Sequence, residues 1–137
     1  MAILALDPGK RKIGAAVTDE TGLTVAQLGN VPRGPDDTLL TELNHLLAGR
    51  RVDLVVIGLP LNMDGSEGVG ARAARQLGDL ITRSMAVPVE YHDERLTTFE
   101  AKERLKGRLA RGKLKSSLDS AAAAVILESW MAARGKP

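Results

Sequence analysis

Cysteine is absent from this 137-residue chain and aromatic residues nearly so: there is no Cys, and one each of Trp, Tyr and Phe. The first absence excludes disulfides, a thiolate-held structural zinc and thiol catalysis. It suits a reducing compartment, and a cytoplasmic location is expected. No basic stretch precedes the short apolar run at the N-terminus, so the pattern of a signal peptide is missing. No stretch approaches the roughly 20 apolar residues that a bilayer-crossing helix needs, so no membrane partner is expected. Internal repeats and low-complexity linkers are absent as well. Apolar residues make up 44% and charged residues 26% of the chain, a globular composition with room for one core and little room for a second. Residues 1–137 are therefore read as a single domain.

What is present is a charge asymmetry. The net charge is only +2, yet residues 1–93 hold nine basic and twelve acidic side chains, while residues 94–137 hold ten and five. Between Lys102 and Lys115 seven basic residues (Lys102, Arg104, Lys106, Arg108, Arg111, Lys113, Lys115) face one acid, Glu103. A localised positive stretch is either a solvated face or the footprint of a polyanionic partner. With Tyr91, Phe99 and Trp130 as the only rings, contacts to phosphates and to duplex shape are expected rather than stacking on aromatic platforms.

Hydrophobic runs and turn signals predict the order β-β-β-α-β-α-β-α-α. Strands are expected at Ala2–Leu6, Ile13–Thr18, Thr24–Leu28, Val52–Ile57 and Val87–Tyr91. Helices are expected at about Asp37–Leu47, from an N-cap at Ser66 to about Ser84, from the capping-box pattern Thr97-Thr98-Phe99-Glu100, and over Leu118–Ala133. The segment Gly107–Leu114, basic and with two glycines, reads as mobile. Three antiparallel strands lead and strand–helix crossovers follow, which puts helices on the faces of an α/β sheet.

Three acidic positions stand where elements begin or end. Asp7 closes the first apolar run and precedes Pro8-Gly9. Asp93-Glu94 closes the last strand. Asp119, in Ser116-Ser117-Leu118-Asp119-Ser120-Ala121, opens an alanine-rich helix. Carboxylates at such ends can converge above one end of a sheet, and an oxygen cluster of this kind suits a hard divalent cation such as Mg²⁺. Each position has a structural reading too: a tight Asp-Pro-Gly turn, a cap or ion pair with Arg95, and an acid favourable in a first helical turn. Period-two counting leaves open whether Asp93 or Glu94 faces the cleft; Glu94, with the longer side chain, is preferred. Ser66, between Gly65 and Gly68 at an expected helix start, is a candidate phosphate contact, and Arg72 and Arg75 share one face of the helix that follows. His45 and His92 are isolated.

The segments Leu4-Ala5-Leu6-Asp7-Pro8-Gly9-Lys10-Arg11-Lys12-Ile13-Gly14, Gly58-Leu59-Pro60-Leu61-Asn62-Met63-Asp64-Gly65-Ser66-Glu67-Gly68 and Asp93-Glu94-Arg95-Leu96-Thr97-Thr98 closely resemble the bacterial YqgF/RuvX proteins. Lys115–Leu127, with Asp119 before Ala121–Ala124, is similar as well. Members of that family carry names as Holliday-junction resolvases or pre-16S rRNA nucleases. The resemblance implies a ribonuclease H-like fold: a five-stranded mixed sheet of order 3-2-1-4-5 with helices on both faces. It implies that Asp7, Glu94 (Asp93 as the alternative) and Asp119 form the catalytic metal site. RuvC-type resolvases carry an acid at the end of the fourth strand, where this chain has Ile57-Gly58, so the second ligand has to come from the fifth strand.

The expectation is therefore a Mg²⁺- or Mn²⁺-dependent nuclease acting on structured nucleic acid, by the resemblance on the 5′ end of pre-16S rRNA. Lys10, Arg11 and Lys12 would neutralise phosphates near the cut, with Ser66, Arg72, Arg75 and Arg95 nearby, and the arm containing Arg104, Arg108, Arg111, Lys113 and Lys115 would hold the flanking backbone. The alternatives are a resolvase of branched DNA, a non-catalytic nucleic-acid-binding factor, and an actin-like nucleotide-binding half that needs a partner chain. A monomer or weak homodimer is expected, with Trp130 as the one candidate interface anchor.

Overall fold

Alternation along the strands sorts the apolar residues onto two faces of one sheet, and the helices cover both. The protein is represented by a computed structural model that describes residues 1–108 and 118–134, the side chains of residues 118–120 excepted. Its elements are Ile3–Pro8 (β1), Lys12–Thr18 (β2), Val25–Pro32 (β3), Asp36–Leu47 (α1), Leu54–Leu59 (β4), Val69–Met85 (α2), Val89–Asp93 (β5), a 3-10 turn at Glu94–Leu96, Phe99–Lys106 (α3) and Leu118–Ala133 (α4). The sheet order is β3-β2-β1-β4-β5. β1–β2 and β2–β3 are antiparallel, whereas β1–β4 and β4–β5 are parallel. The three parallel strands therefore all finish at the same end of the sheet, where ligand sites of open α/β sheets form.

Leu4 and Leu6 of β1 and Val55 and Ile57 of β4 pack with Leu43 of α1 and Leu77 and Ile81 of α2. Their strand neighbours Ile3, Ala5 and Val56 point the other way, onto Leu105 of α3 and Ala123, Ala124, Leu127 and Trp130 of α4. Ala123 and Ala124 of α4 are fully buried; their small side chains let this helix lie close to β1 and β2.

Several element boundaries differ from the sequence expectation. β3 runs on to Pro32 because a bulge at Ala15/Ala16 lets pairing with β2 continue past Gly29, which adopts φ 116°. The second helix starts at Val69 and is capped by Gly68, so Ser66 is not its N-cap. Asp64 intercepts it: its Oδ1 accepts from the Ser66 backbone N–H at 2.9 Å and from the Ser66 hydroxyl at 2.6 Å, closing a local turn. Thr98, one residue later than the capping-box reading, caps α3 by accepting from Ala101 N–H at 3.2 Å, and the Thr97 hydroxyl donates to Glu94 O at 2.7 Å.

Trp130 is not an interface anchor. It is 7% exposed, and its Nε1–H donates to Glu90 Oε1 at 3.0 Å. The ring fills the core under β5, the default fate of a large side chain that finds a polar partner for its one donor.

The most consequential polar burial is Glu128 of α4, which is fully enclosed. Arg104 Nε lies 3.1 Å from its Oε2, and Arg108 Nε meets its Oε1. Two half-exposed guanidinium groups thus hold α3 and the residues after it against α4. Removing one partner of a buried charge cluster leaves the others uncompensated. Glu128→Ala is expected to lower stability by about 2–4 kcal/mol, read as a reduced urea midpoint; an unchanged midpoint would show that the cluster contributes nothing.

Candidate active site

The side chains at the ends of the parallel strands follow the same two-face alternation. Ile3 and Ala5 face α4, so Asp7 does too. On β5, Glu90 bonds Trp130 and His92 bonds Ser129, both on α4. Glu94, next in that series, enters the 3-10 turn on the α4 side, beside Asp7. Asp93 belongs to the other series, with Val89 and Tyr91, which pack against the α2-side core. Its carboxylate is engaged by Arg95: Nη2 lies 2.6 Å from Oδ2, Nε 3.0 Å from both oxygens, and the Arg95 backbone N–H donates to Oδ1 at 2.9 Å. Arg95 also donates from Nη1 to Met63 O at 3.2 Å, which binds the β4–α2 loop to the end of β5.

Gly58 makes the approach of Glu94 to Asp7 possible. It pairs with His92 in the β4–β5 register. A Cβ placed on it would lie 2.7 Å from Glu94 Oε2 and 2.6 Å from Ile126 Cδ1. Any side chain at position 58 would occupy the space that the Glu94 carboxyl fills.

Asp7 and Glu94 line a cleft of about 440 Å³ together with Thr97, Lys102 and Ala121, Ala122, Val125 and Ile126 of α4. Burial, then the charge of Asp7, then a hydrogen bond with Asp7 raise the Glu94 carboxyl from its usual range to about 7, and Asp93 adds to the rise. Two carboxyls can share a hydrogen bond only if one keeps a proton, so the Asp7–Glu94 pair holds a proton where isolated carboxyls would have lost theirs. By contrast, Arg95 holds Asp93 below the normal carboxylate range. The adjacent acids thus have opposite electrostatics.

The remaining expected site residues fall into distinct groups. Asp119 is the second residue of α4, two positions before the cleft-lining Ala121; its side chain is outside the described part of the structure. Among the described residues no three Asp, Glu, His or Cys side chains form a metal-sized group. Lys10, Arg11 and Lys12 are exposed on the β1–β2 turn, which is tightened by a Gly9 N–H to Lys12 O bond of 2.9 Å and clamped by Arg33 Nε on Gly9 O at 2.6 Å. The Ser66 hydroxyl is donated to Asp64. Arg72 is exposed, whereas Arg75 makes a forked pair with Glu67, Nη2 to Oε2 being 2.6 Å, and its guanidinium lies 4.8 Å from the Tyr91 ring centroid. Arg104 and Arg108 are turned inward to Glu128. Arg111, Lys113 and Lys115 lie outside the described residues.

Sequence reasoning passed over Lys102 and Thr97 as individuals, although the structure puts both on the cleft wall. Their positions relative to the capped start of α3 were the available signal. It also missed His92, which is 5% exposed. Ser129 Oγ lies 3.0 Å from Leu96 O and 2.8 Å from His92 Nε2. The hydroxyl has one proton, and the carbonyl can only accept it, so the network assigns the Nε2–H tautomer to His92. Burial holds this imidazole below its usual pKa. The relay fixes the 3-10 turn that carries Glu94 to α4.

A mixed sheet of order 3-2-1-4-5, covered on both faces and with acids meeting at the ends of its parallel strands, is a ribonuclease H-like fold. The family profile described as "RuvX: Holliday junction resolvase" matches residues 1–133, and the chain belongs to that RuvX family. It is 43% identical over 136 residues to a protein of Anaeromyxobacter sp. (strain Fw109-5) and 38% identical over 138 residues to one of Synechococcus elongatus, each named "Putative pre-16S rRNA nuclease". The matches cover 98% of this chain and 98% of the first relative, and 99% and 92% for the second. Among solved structures, Thermus thermophilus RuvC in complex with a Holliday junction substrate superposes with a TM-score of 0.67 at 18% identity, covering 98% of this chain and 96% of that one. A Fowlpox virus resolvase with Holliday junction DNA gives 0.57 at 13% identity, covering 99% and 100%. These likenesses concern the fold alone. Among the described residues no helix is long and apolar enough to cross a membrane.

The raised Glu94 carboxyl makes a prediction about stability in metal-free buffer. The unfolded chain gives up this proton near the ordinary value of 4.5 and the folded chain near 7. Between those values the native state binds more protons, so its stability falls as pH rises. Glu94→Gln abolishes this loss. In EDTA the variant is expected to match the wild type near pH 4 and to exceed it by about 1–3 kcal/mol at pH 8, as measured by thermal or urea unfolding at both pH values. A difference that is the same at both would remove the proposed proton from Glu94.

Proposed function

We propose that this chain is a divalent-metal-dependent nuclease that hydrolyses phosphodiester bonds in structured nucleic acid in the cytoplasm, with the 5′ end of pre-16S rRNA as its substrate. The observation that carries the reading is the Asp7–Glu94 pair: two carboxyls pressed together in an open cleft, one of them raised to about 7. An all-oxygen donor pair that repels itself is suited to a hard cation, which would relieve the repulsion that burial imposes. The residues therefore fit Mg²⁺ or Mn²⁺, held by Asp7 and Glu94 with Asp119 at the start of α4 as the third ligand. Such an ion supplies Lewis acidity for phosphodiester hydrolysis when bound.

The chain's own groups do the rest. Gly58 leaves room for Glu94, the His92–Ser129–Leu96 relay holds its turn, and the exposed Lys10, Arg11 and Lys12 lie next to Asp7 in sequence, where they can offset phosphate charge. The basic residues Arg111, Lys113 and Lys115 hold flanking backbone in this reading. Arg104, Arg108 and Arg75 contribute less, since each is already paired with an acid. The names of the curated relatives support RNA as substrate. The description of the family profile supports a second reading, resolution of branched DNA.

Cleavage of pre-16S rRNA and of a four-way DNA junction by the same purified protein, with Mg²⁺ or Mn²⁺, tests both. The expected result is RNA cleavage by a monomer or weak dimer and poor, unpaired nicking of the junction. A tight dimer making symmetric incisions, with the rRNA left intact, would make resolution the function. Asp7→Asn, Glu94→Gln and Asp119→Asn are each expected to reduce cleavage by roughly a hundredfold or more while circular dichroism is unchanged; full activity in Asp7→Asn would end the assignment. Asp93→Asn is expected to retain activity, because its carboxylate serves Arg95.

Replacing Arg111, Lys113 and Lys115 together with Ala is expected to weaken binding of all sequences alike. It should also flatten the dependence of log affinity on log salt, by roughly 0.7–0.9 for each phosphate that is no longer neutralised. An unchanged slope would make that stretch a solvated surface.

A further inference from the structure

Large apolar side chains left in solvent are few, and they are unevenly placed. Among the described residues they are Met1, Leu23, Met63, Val69, Leu96 and Phe99. The last four belong to segments that leave the ends of β4 and β5, the end of the sheet that carries Asp7 and Glu94. Met63 is 96% exposed, Leu96 52% and Phe99 71%. Arg95 joins them: it donates to Met63 O at 3.2 Å and immediately precedes Leu96. Phe99 opens α3, and Lys102 follows it at i+3, the spacing that makes two residues neighbours on a helix surface. Thr97 and Lys102, on either side of Phe99 in sequence, both line the cleft.

Phe99 is 71% exposed at the start of α3, between two residues that line the cleft, and exposed apolar side chains bordering a charged cleft mark a binding surface. The occupant must tolerate an acidic cleft, meet a cation one helical turn from a ring, and present a flat apolar face. An unpaired nucleotide has this combination: a phosphate for Lys102 and a base with a free face for Phe99 and Leu96. A base inside a continuous duplex is stacked on both sides and has no face to offer.

We infer that the corner formed by Leu96, Phe99 and Lys102 binds one unpaired nucleotide beside the bond to be cut, so that the substrate class is nucleic acid with a single-stranded residue at the cleavage position. This rests on the nuclease reading above and narrows it. It also revises the expectation that aromatic stacking has little part: of the three aromatic residues, Trp130 is buried, Tyr91 packs against the core, and Phe99 is the one held in solvent.

The test measures binding of a fluorescein-labelled single-stranded RNA and of a blunt duplex of the same sequence, with Ca²⁺ replacing Mg²⁺. Phe99→Ala is expected to weaken single-strand binding roughly five- to thirtyfold and to leave duplex binding unchanged. Phe99→Trp should restore affinity and have its fluorescence quenched by the single strand; Phe99→Leu should not restore it. Lys102→Ala should weaken single-strand binding and reduce its salt slope by about 0.7. Equal losses on both nucleic acids, no loss on either, or a Phe99→Ala effect confined to the oligomeric state in light scattering would overturn the inference, the last assigning the patch to a second copy. Wild-type cleavage separates the two failures. If the wild type cleaves and Phe99→Ala binds and cleaves equally well, only this inference falls; if the wild type neither binds nor cleaves, the nuclease reading falls with it.

Discussion

Two carboxyl groups are held against each other over a glycine, and most of the local architecture follows from that constraint. Asp7 arrives at the end of β1 and Glu94 just past the end of β5, with β4 between them. A side chain on β4 at position 58 would keep them apart; Gly58 has none, and a Cβ there would collide with Glu94 Oε2. The fold therefore accepts a close pair of acids in a partly buried place, where their mutual repulsion and loss of hydration raise one of them to about 7. Either a proton or a cation relieves that arrangement. The strain is local, since the layers beneath the pair are apolar and buried.

Asp93 and Glu94 show how adjacent identical charges acquire different roles. Consecutive strand residues face opposite sides of a sheet. Glu94 continues the series Glu90 and His92 toward α4; Asp93 continues Val89 and Tyr91 toward α2. On that side it meets Arg95, whose guanidinium also reaches the Met63 carbonyl. One acid is part of the cleft and the other ties the β4–α2 loop to β5. The loop's distinctive sequence is in turn spent largely on itself: Asn62 donates from Nδ2 to the Ser66 hydroxyl at 2.9 Å, that hydroxyl donates to Asp64, and Gly65 turns the chain at φ 88°.

The order of elements, the two covered faces and the meeting of Asp7 with the end of β5 could be read from the sequence because they depend on local pattern: apolar runs, turn residues and the period of two; the order of strands in the sheet came from the family resemblance. The choice of Glu94 over Asp93 was also within reach of that period, but only once β5 was known to extend to Asp93. What stayed hidden depends on tertiary contacts. Nothing in the stretch around Ser66 says that Asp64 takes its hydroxyl before a helix can use it as a cap. Nothing local to Arg104 or Arg108 shows that both turn inward to a carboxylate twenty or more residues away. Trp130 looked available for an interface because a lone Trp carries no sign of the Glu90 acceptor that faces it from β5.

The same tertiary pairing changes the meaning of the basic stretch that dominates the charge pattern. Arg104 and Arg108 neutralise a buried acid, and Lys106 lies 3.1 Å from Glu103. The Arg108 carbonyl accepts from Val25 N–H at 2.7 Å, so the chain enters residues 109–117 from a point fixed by both backbone and side chain. Of the basic residues of this stretch that the structure describes, Lys102 is the one on the cleft wall. A count of charges over residues 102–108 would assign four equal contacts to a polyanion; the geometry gives three of them acidic partners within the protein and one a place on the cleft. Glu128, a fully buried anion, thus takes up two of the cations that the charge pattern offers to a partner, Arg104 and Arg108.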